Sequence, residues 1–269
     1  MAFVKSIWRG HDYIPKVWDR WIRDKGGRMF VAEVDGRPVA ISRVRLMEDG
    51  SAWLEGARVH PRYRRRGIAT SLGRSSMEFA RKRGVRTFRL TSGFSNNPAH
   101  KQVAKMGLVE VARMSLYSPR EGSRFRPSKG VRRAKASEIP ALLKKIRESK
   151  EFAAGGGVYW DRFTAASITS KTLARHVRQG SVFLFREAIA IAKLGGEGAD
   201  IWRQICFATG PTQDAATILR FIFGKKERAR TAWKIVYAPS RSPLVRTLTK
   251  VGLTKWGTFL LFENRPPKS

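Results

Sequence analysis

The chain has 269 residues, 42% of them hydrophobic, enough to bury the core of one large domain or of two domains of about 130 residues. The single cysteine, Cys206, excludes an intrachain disulfide framework and a multi-cysteine zinc site. No run of 18 apolar residues offers a membrane span and charges interrupt the first residues, MAFVKSIWRGHDY, so a soluble cytoplasmic protein is expected. Lys and Arg number 54 against 21 Asp and Glu, a net +33 that calls for an acidic partner (nucleic acid, an anionic surface or a phosphorylated ligand) or serves solubility alone.

Ile14, Val17, Trp18 and Trp21 recur at helical spacing. Residues 28–34 and 38–44 flank Asp35-Gly36, a hairpin signature. A strand is predicted over 52–59, a helix over 70–83 stopped by Gly84, and a strand over 86–91. A helix over 97–106 closed by Gly107 and a strand over 109–117 complete the first segment. Residues 119–130, rich in Arg, Gly, Pro and Ser, read as a basic linker. This divides the chain into 1–118, the linker 119–130, and 131–269. The positive charge covers both halves: 24 − 10 = +14 for 1–118 and 30 − 11 = +19 for 119–269.

The second segment reads as a helix over 138–147, two strands within 181–194, a strand over 201–208 and a helix over 215–224. A strand over 233–237, a helix over 243–251 and a strand over 256–262 follow. Residues 87–118 and 232–263 align without a gap, with identities at Ser95/Ser240, Pro98/Pro243, Lys105/Lys250, Gly107/Gly252, Leu108/Leu253 and Leu116/Leu261. The expected fold is α/β, a mixed central sheet flanked by helices, in two tandem copies.

The stretch Val59-His60-Pro61-Arg62-Tyr63-Arg64-Arg65-Arg66-Gly67-Ile68-Ala69-Thr70 runs from a strand end through a basic turn into a helix. Gly67 lets backbone approach a ligand, small Ala69 does not obstruct it, and the helix start offers unpaired N–H groups to an anion. The alternative is a solvated basic turn.

This segment resembles the acetyl-CoA motif of the GNAT acetyltransferase superfamily, Arg/Gln-x-x-Gly-x-Gly/Ala after a strand, met here by Arg64, Gly67 and Ala69 behind Val59 and Pro61. A second family element, Asn with Ala at +3, Tyr at +7 and Gly at +11, is met by Asn96, Ala99 and Gly107; Val103 replaces the tyrosine. The resemblance covers most of 1–118 and implies an acetyl-CoA-dependent N-acetyltransferase. It implies that Arg64, Arg65, Arg66, Gly67, Ile68, Ala69 and Thr70 hold the pyrophosphate and that Asn96 contacts the cofactor. Ala57 to Val59 would pair with the pantetheine arm in a splayed gap between strands. Glu55, four residues before Val59 and so on its face of a regular strand, is the candidate general base or else a salt-bridged strand residue. Valine cannot protonate a thiolate, so either the thiolate leaves unassisted or water, Tyr117 or Ser95 helps.

His60 and His100 read as turn and helix-surface residues, and His11 and His176 stand alone without metal spacing. Trp8, Trp18 and Trp21 with Arg9, Arg20 and Arg23 suit either a base-stacking platform or core. Gly155-Gly156-Gly157 lacks a phosphate-loop lysine and reads as a flexible loop. In the second half Phe207 to Asp214 lacks the cofactor motif, and Asp214 would oppose a phosphate, so that half is expected to be a degenerate copy supporting the first. The charge points to an acceptor amine on RNA such as tRNA, or on a DNA-associated protein. A small amine, a protein lysine, or a non-catalytic nucleic-acid-binding role are the alternatives.

Overall fold

In the computed structural model, residues 12–120, 122–197, 200–224 and 231–264 are described. Trp8, Arg9 and His11 lie outside them. The chain groups into two compact units: Met1–Ser92 with Asn96–Val109 and Phe262–Ser269, and Gly93–Ser95 with Glu110–Leu261.

In unit 1, helix α1 (Ile14–Arg23) starts with Pro15 in its first turn and buries Ile14 and Trp21. With Ile41, and with Val17, Trp18 and Met29 packed around them, these residues form an apolar cluster, so Trp18 and Trp21 serve the core. Strands β1 (Gly27–Val34) and β2 (Arg37–Leu46) make an antiparallel hairpin. Its turn puts Asp35 at φ 51° and Gly36 at φ 68°, the geometry that Asp-Gly favours. Strand β3 (Ala52–Val59) pairs antiparallel with β2. Helix α2 (Ile68–Arg81) then carries the chain to β4 (Phe88–Gly93), which pairs parallel with β3. Helix α3 (Asn97–Lys105) follows, and then β5 (Leu108–Pro119), which enters unit 2 at Glu110. The chain's C-terminal end returns to unit 1, where the Asn264 amide accepts the Phe88 N–H at 2.6 Å.

Unit 2 contains β6 (Arg132–Arg133), α4 (Ile139–Arg147), α5 (Lys150–Ala154), the hairpin β7 (Val158–Asp161) and β8 (Thr164–Ser167), and α6 (Ser170–Arg178). These are followed by β9 (Val182–Phe185), β10 (Ala188–Glu197), β11 (Asp200–Thr209), α7 (Thr212–Gly224), β12 (Thr231–Pro239), α8 (Leu244–Lys250) and β13 (Leu253–Asn264). Its strands lie in the order β13-β5-β12-β11-β10-β9-β6. Strands β9, β10 and β11 pair antiparallel and β12 joins β11 parallel, the same succession as β1, β2, β3 and β4. A mixed α/β sheet with flanking helices is therefore the architecture, as expected. The core gathers Ile205, Ile218, Leu219, Ile222, Phe223 and Leu248. Phe125, from the basic segment after β5, packs on this cluster with its ring 5.5 Å from Phe223.

Apart from the loop expected at Gly155-Gly156-Gly157, residues 148–180 carry no helix or strand assignment from sequence. Strands β7 and β8 have four residues each, too few for alternation to register. The Gly155–Gly157 run is not a loose loop: its three amides donate to the carbonyls of Glu151, Ala153 and Phe152 and close α5.

His176 on α6 is fully buried, its Nδ1 3.2 Å from Ser181 Oγ and its Nε2 3.2 Å from Arg175 Nη2. Burial, then the Arg175 and Lys193 charges, push its pKa down to about 4. The unfolded chain therefore binds a proton below about pH 6.5 that the folded chain refuses until about pH 4. This stabilisation is complete above pH 6.5 and is lost as pH falls toward 4, at a cost on the order of 3 kcal/mol. Urea midpoints at pH 7.5 and 4.5 should fall further for the natural protein than for His176→Asn. Equal falls in both would contradict the assignment.

Candidate active site

The site in unit 1 is organised by an irregularity of β3. Ala40 pairs with Val59 and Ile41 with Arg58, but the next pairs are Arg43 with Glu55 and Val44 with Leu54. Gly56 and Ala57 thus stand opposite Ser42 alone, a β-bulge. Gly56 has φ 70°, and a Cβ there would lie 2.7 Å from the Trp21 ring, so glycine is required both by conformation and by the close approach of α1.

The bulge reverses the alternation. Glu55 shares its face with Arg58, Ile41 and Arg43, on the side covered by α1. Val59 lies with Ala40 and Ser42 on the opposite side, where the Ser42 hydroxyl meets Ser76 of α2 at 3.2 Å. The expectation that Glu55 and Val59 share a face is therefore corrected, because the extra residue between them inverts the count. Glu55 is ion-paired through Oε1 to Nη1 of Arg43, whose Nη2 binds Asp24 and whose guanidinium lies 5.0 Å from the Trp21 ring centre. Arg58 pairs with buried Asp12 at 2.6 Å. The β3·β4 ladder comprises Ala52↔Phe88 and Trp53↔Arg89, so the parallel pairing stops just before the bulge.

Past Val59, His60 caps a short turn by accepting the Arg62 N–H at 3.3 Å, and Arg64 Nε donates to the Val59 carbonyl at 3.3 Å. Arg65 at φ 63° and Gly67 at φ 77° are both left-handed, a strained arrangement for arginine. Gly67 caps α2, and a Cβ there would meet nothing within 4 Å. The amides of Ile68, Ala69 and Thr70 lie in the first turn, where a helix supplies no internal acceptors. Arg66 turns aside and rests 5.2 Å from the Tyr63 ring centre.

These elements border a cleft of about 1050 Å³. Ala57, Val59, Arg64, Arg65, Gly67, Ile68, Ala69, Thr70 and Asn96 all line it; Glu55 and Arg66 do not. Arg58, Lys101 and Lys105 add to the two arginines, giving five cations and no carboxylate among the lining residues. The Asn96 side chain accepts the Ala99 N–H at 3.4 Å and so caps α3, a role its position before Pro98 suits equally well. Gln102 was not singled out from sequence. Its Nε2 donates to the Ala69 carbonyl at 3.0 Å, tying α3 to the first turn of α2. Val103 is buried, and Tyr117 is in the core of unit 2, where burial raises its pKa. His100 rests against Phe262 with ring centres 5.3 Å apart.

Unit 2 contains the same kind of bulge, with Ile191↔Phe207 followed by Ala192↔Ile205. Its β11-to-α7 connection is only Gly210-Pro211, against eight residues, 60–67, between β3 and α2. A Cβ on Gly210 would lie 2.6 Å from Ala188 Cα, and buried Asp214 in the first turn of α7 accepts the Glu187 N–H at 3.4 Å. Among the described residues, no group of three or more His, Cys, Asp and Glu could hold a metal, and no helix is long and apolar enough to cross a membrane.

The chain's fold matches a GCN5-related N-acetyltransferase from Sphaerobacter thermophilus with a TM-score of 0.61, at 14% identity over 95% of this chain and 87% of that one. It likewise matches the GCN5-related glucosamine N-acetyltransferase region of a fungal multi-domain GH3 β-N-acetylglucosaminidase, with a TM-score of 0.61 at 15% identity over 97% of this chain and 36% of that one. Residues 3–108 match the model of the Acetyltransferase (GNAT) family. Curated relatives include a histidine N-acetyltransferase of Oreochromis niloticus, 30% identical over 116 residues, which are 40% of this chain and 34% of that protein. An uncharacterized N-acetyltransferase of Methanocaldococcus jannaschii is 35% identical over 122 residues, 39% of this chain and 53% of that protein. The chain thus spans between a third and about half of these relatives' length.

Gly56→Ala should lower stability by about 2–4 kcal/mol, combining left-handed strain with overpacking against Trp21. In a double-mutant cycle with Trp21→Leu, thermal unfolding should show that the two losses are not additive. Strict additivity would mean that Trp21 does not fill the space over Gly56.

Proposed function

We propose that unit 1 is an acetyl-CoA-dependent N-acetyltransferase and that its acceptor amine belongs to, or is carried on, a polyanion such as RNA. The observation that carries the enzymatic reading is the cleft at the start of α2, lined by five cations and no carboxylate. Its open Gly67 and the first-turn amides of α2 suit a diphosphate. When bound, acetyl-CoA supplies an acetyl thioester as acyl donor. Amides of Arg65 to Thr70 would bind its diphosphate within the field of Arg64, Arg65, Lys101 and Lys105. The extended backbone of Ala57 to Val59, free to diverge from β4, would bind the pantetheine arm. Asn96 would contribute by fixing the start of α3. Arg66 lends charge at the rim.

On the face toward α1, Glu55 would accept the acceptor's amine proton at Oε2, with Oε1 held by Arg43. Val103 offers no proton, so solvent serves that role. Unit 2 is read as a degenerate second copy: its strand succession and bulge repeat those of unit 1, while its two-residue turn and Asp214 leave no room or charge for a diphosphate. A polyanionic acceptor is favoured by the net +33. The histidine N-acetyltransferase relatives favour a small amine acceptor as the second reading, and a cytoplasmic setting suits either.

The test gives nucleic-acid-stripped protein radiolabelled acetyl-CoA with total RNA, total protein, or free amino acids. The proposal expects label in RNA, lowered about 100-fold or more by Glu55→Gln and lost in Gly67→Val. Label only in free amino acids or protein transfers the acceptor to those classes. Absence of transfer to any pool, with acetyl-CoA unbound, contradicts the enzymatic reading.

A further inference from the structure

Arg43 has 1% of its side chain exposed, yet it stands in the middle of a sheet face where an apolar residue would pack. Across β1, β2 and β3 it lies in one row between Met29 and Glu55. A guanidinium taken out of water needs compensation at both ends of its fork. Nη1 meets the Glu55 carboxylate, Nη2 meets the Asp24 carboxylate, and the Trp21 ring centre lies 5.0 Å from the guanidinium carbon. Arg58, on the same face, is tied to Asp12 instead.

The segment joining α1 to β1 is shaped around this side chain. Asp24 ends α1. Its Oδ1 accepts the Gly26 N–H at 2.9 Å and its carbonyl accepts the Gly27 N–H at 3.2 Å, while Oδ2 receives Arg43. Gly27 makes the space. A Cβ there would lie 2.5 Å from Nη2 and 2.9 Å from Cζ of Arg43, and 3.0 Å from the Val44 carbonyl oxygen. A residue without a side chain lets the guanidinium pass; any other displaces it.

Two tied ends make a different device from one. Paired with Glu55 alone, the arginine could swing together with that carboxylate. With Nη2 anchored on Asp24 and an aromatic ring beside it, Nη1 becomes a fixed point. Exposure rises along the chain of contacts, from 1% for Arg43 to 15% for Glu55. A solute can reach the carboxylate but not the group that holds it. For stability alone, an apolar side chain of similar volume would serve as well, because a buried ion pair repays its lost hydration only in part. Holding one carboxylate oxygen in place does need the charge.

We infer that Asp24, Gly27 and Arg43 are positioning residues for acetyl transfer: the Asp24–Arg43 pair, seated over Gly27, fixes the Glu55 carboxylate for proton acceptance. This rests on the reading of Glu55 as the general base. None of the three lines the proposed acetyl-donor cleft.

The test uses the full chain and radiolabelled acetyl-CoA, following transfer in whichever of total RNA, total protein or free amino acids the natural protein labels. Asp24→Asn keeps an oxygen for the Gly26 N–H and leaves Arg43 its Glu55 partner, so thermal unfolding should show a folded protein. It should lower kcat about tenfold or more with the KM for acetyl-CoA within about twofold. Gly27→Ala should do the same by displacing the guanidinium; should it fail to fold, Asp24→Asn decides. In a Glu55→Gln background neither substitution should slow transfer further, because both act through that carboxylate. A merely structural role would lower the rate in both backgrounds. Full activity in Asp24→Asn, a loss additive with that of Glu55→Gln, or a raised KM for acetyl-CoA at unchanged kcat would overturn this inference alone. An undiminished rate in Glu55→Gln, or no labelled pool, would overturn the reading of Glu55 and this inference with it.

Discussion

The one extra residue in β3 is the constraint on which the rest of unit 1 depends. Gly56 in a left-handed conformation lets β3 gain a residue on β2, and Trp21 occupies the space its missing side chain leaves. Inverting the alternation delivers Glu55 and Arg58 to the face under α1 and Val59 to the face under α2. The parallel pairing of β3 with β4 ends before the bulge, at Trp53↔Arg89. The backbone of Ala57 to Val59 and the Glu55 carboxylate, proposed above to serve donor and acceptor, thus come from one short strand without competing for the same face.

Charge is then distributed by pairing. On the α1 face the arginines are matched: Arg43 with Glu55 and Asp24, Arg58 with Asp12, and Arg89 with Asp49 at 2.8 Å. Partly buried pairs of this kind fix geometry more than they add stability, because each charge also loses water. At the α2 N-terminus the cations have no lining carboxylate to meet. The α1 face is thus neutralised by pairing, while of the cations lining the cleft Arg58 is the one paired with a carboxylate, Asp12, among the described residues. Unit 2 keeps the bulge but shortens the connection to Gly210-Pro211 and places a carboxylate, Asp214, in the helix's first turn.

Much of this was legible in sequence. Asp35-Gly36 marked the hairpin, and β3 spans the predicted 52–59 because its apolar and small residues sit between an Asp-Gly-Ser turn and His-Pro. The turn at Arg64 to Thr70 carried its chemistry in its residue types. The bulge carried only a faint signal: a lone glycine inside a strand, Gly56, which strand periodicity alone reads through. That one omission misplaced the face of Glu55. Asn96 was read as a ligand contact although Asn before Asn-Pro-Ala is equally a helix cap, and sequence alone does not choose between the two. The return of the chain's end to unit 1, through Asn264 and Phe88, is a long-range pairing with no local signature. The short β7–β8 hairpin, where Arg162 is held left-handed by Gln204, was silent for the same reason.

The account rests on a single donor site, made by the β3 bulge and the basic turn of unit 1 and absent from unit 2. Calorimetric titration with acetyl-CoA measures this directly as a stoichiometry. The account predicts one equivalent bound per chain, undiminished when Gly210-Pro211 in unit 2 is lengthened and abolished when Gly67 becomes Asp. Two equivalents, or binding that survives Gly67→Asp, would contradict it.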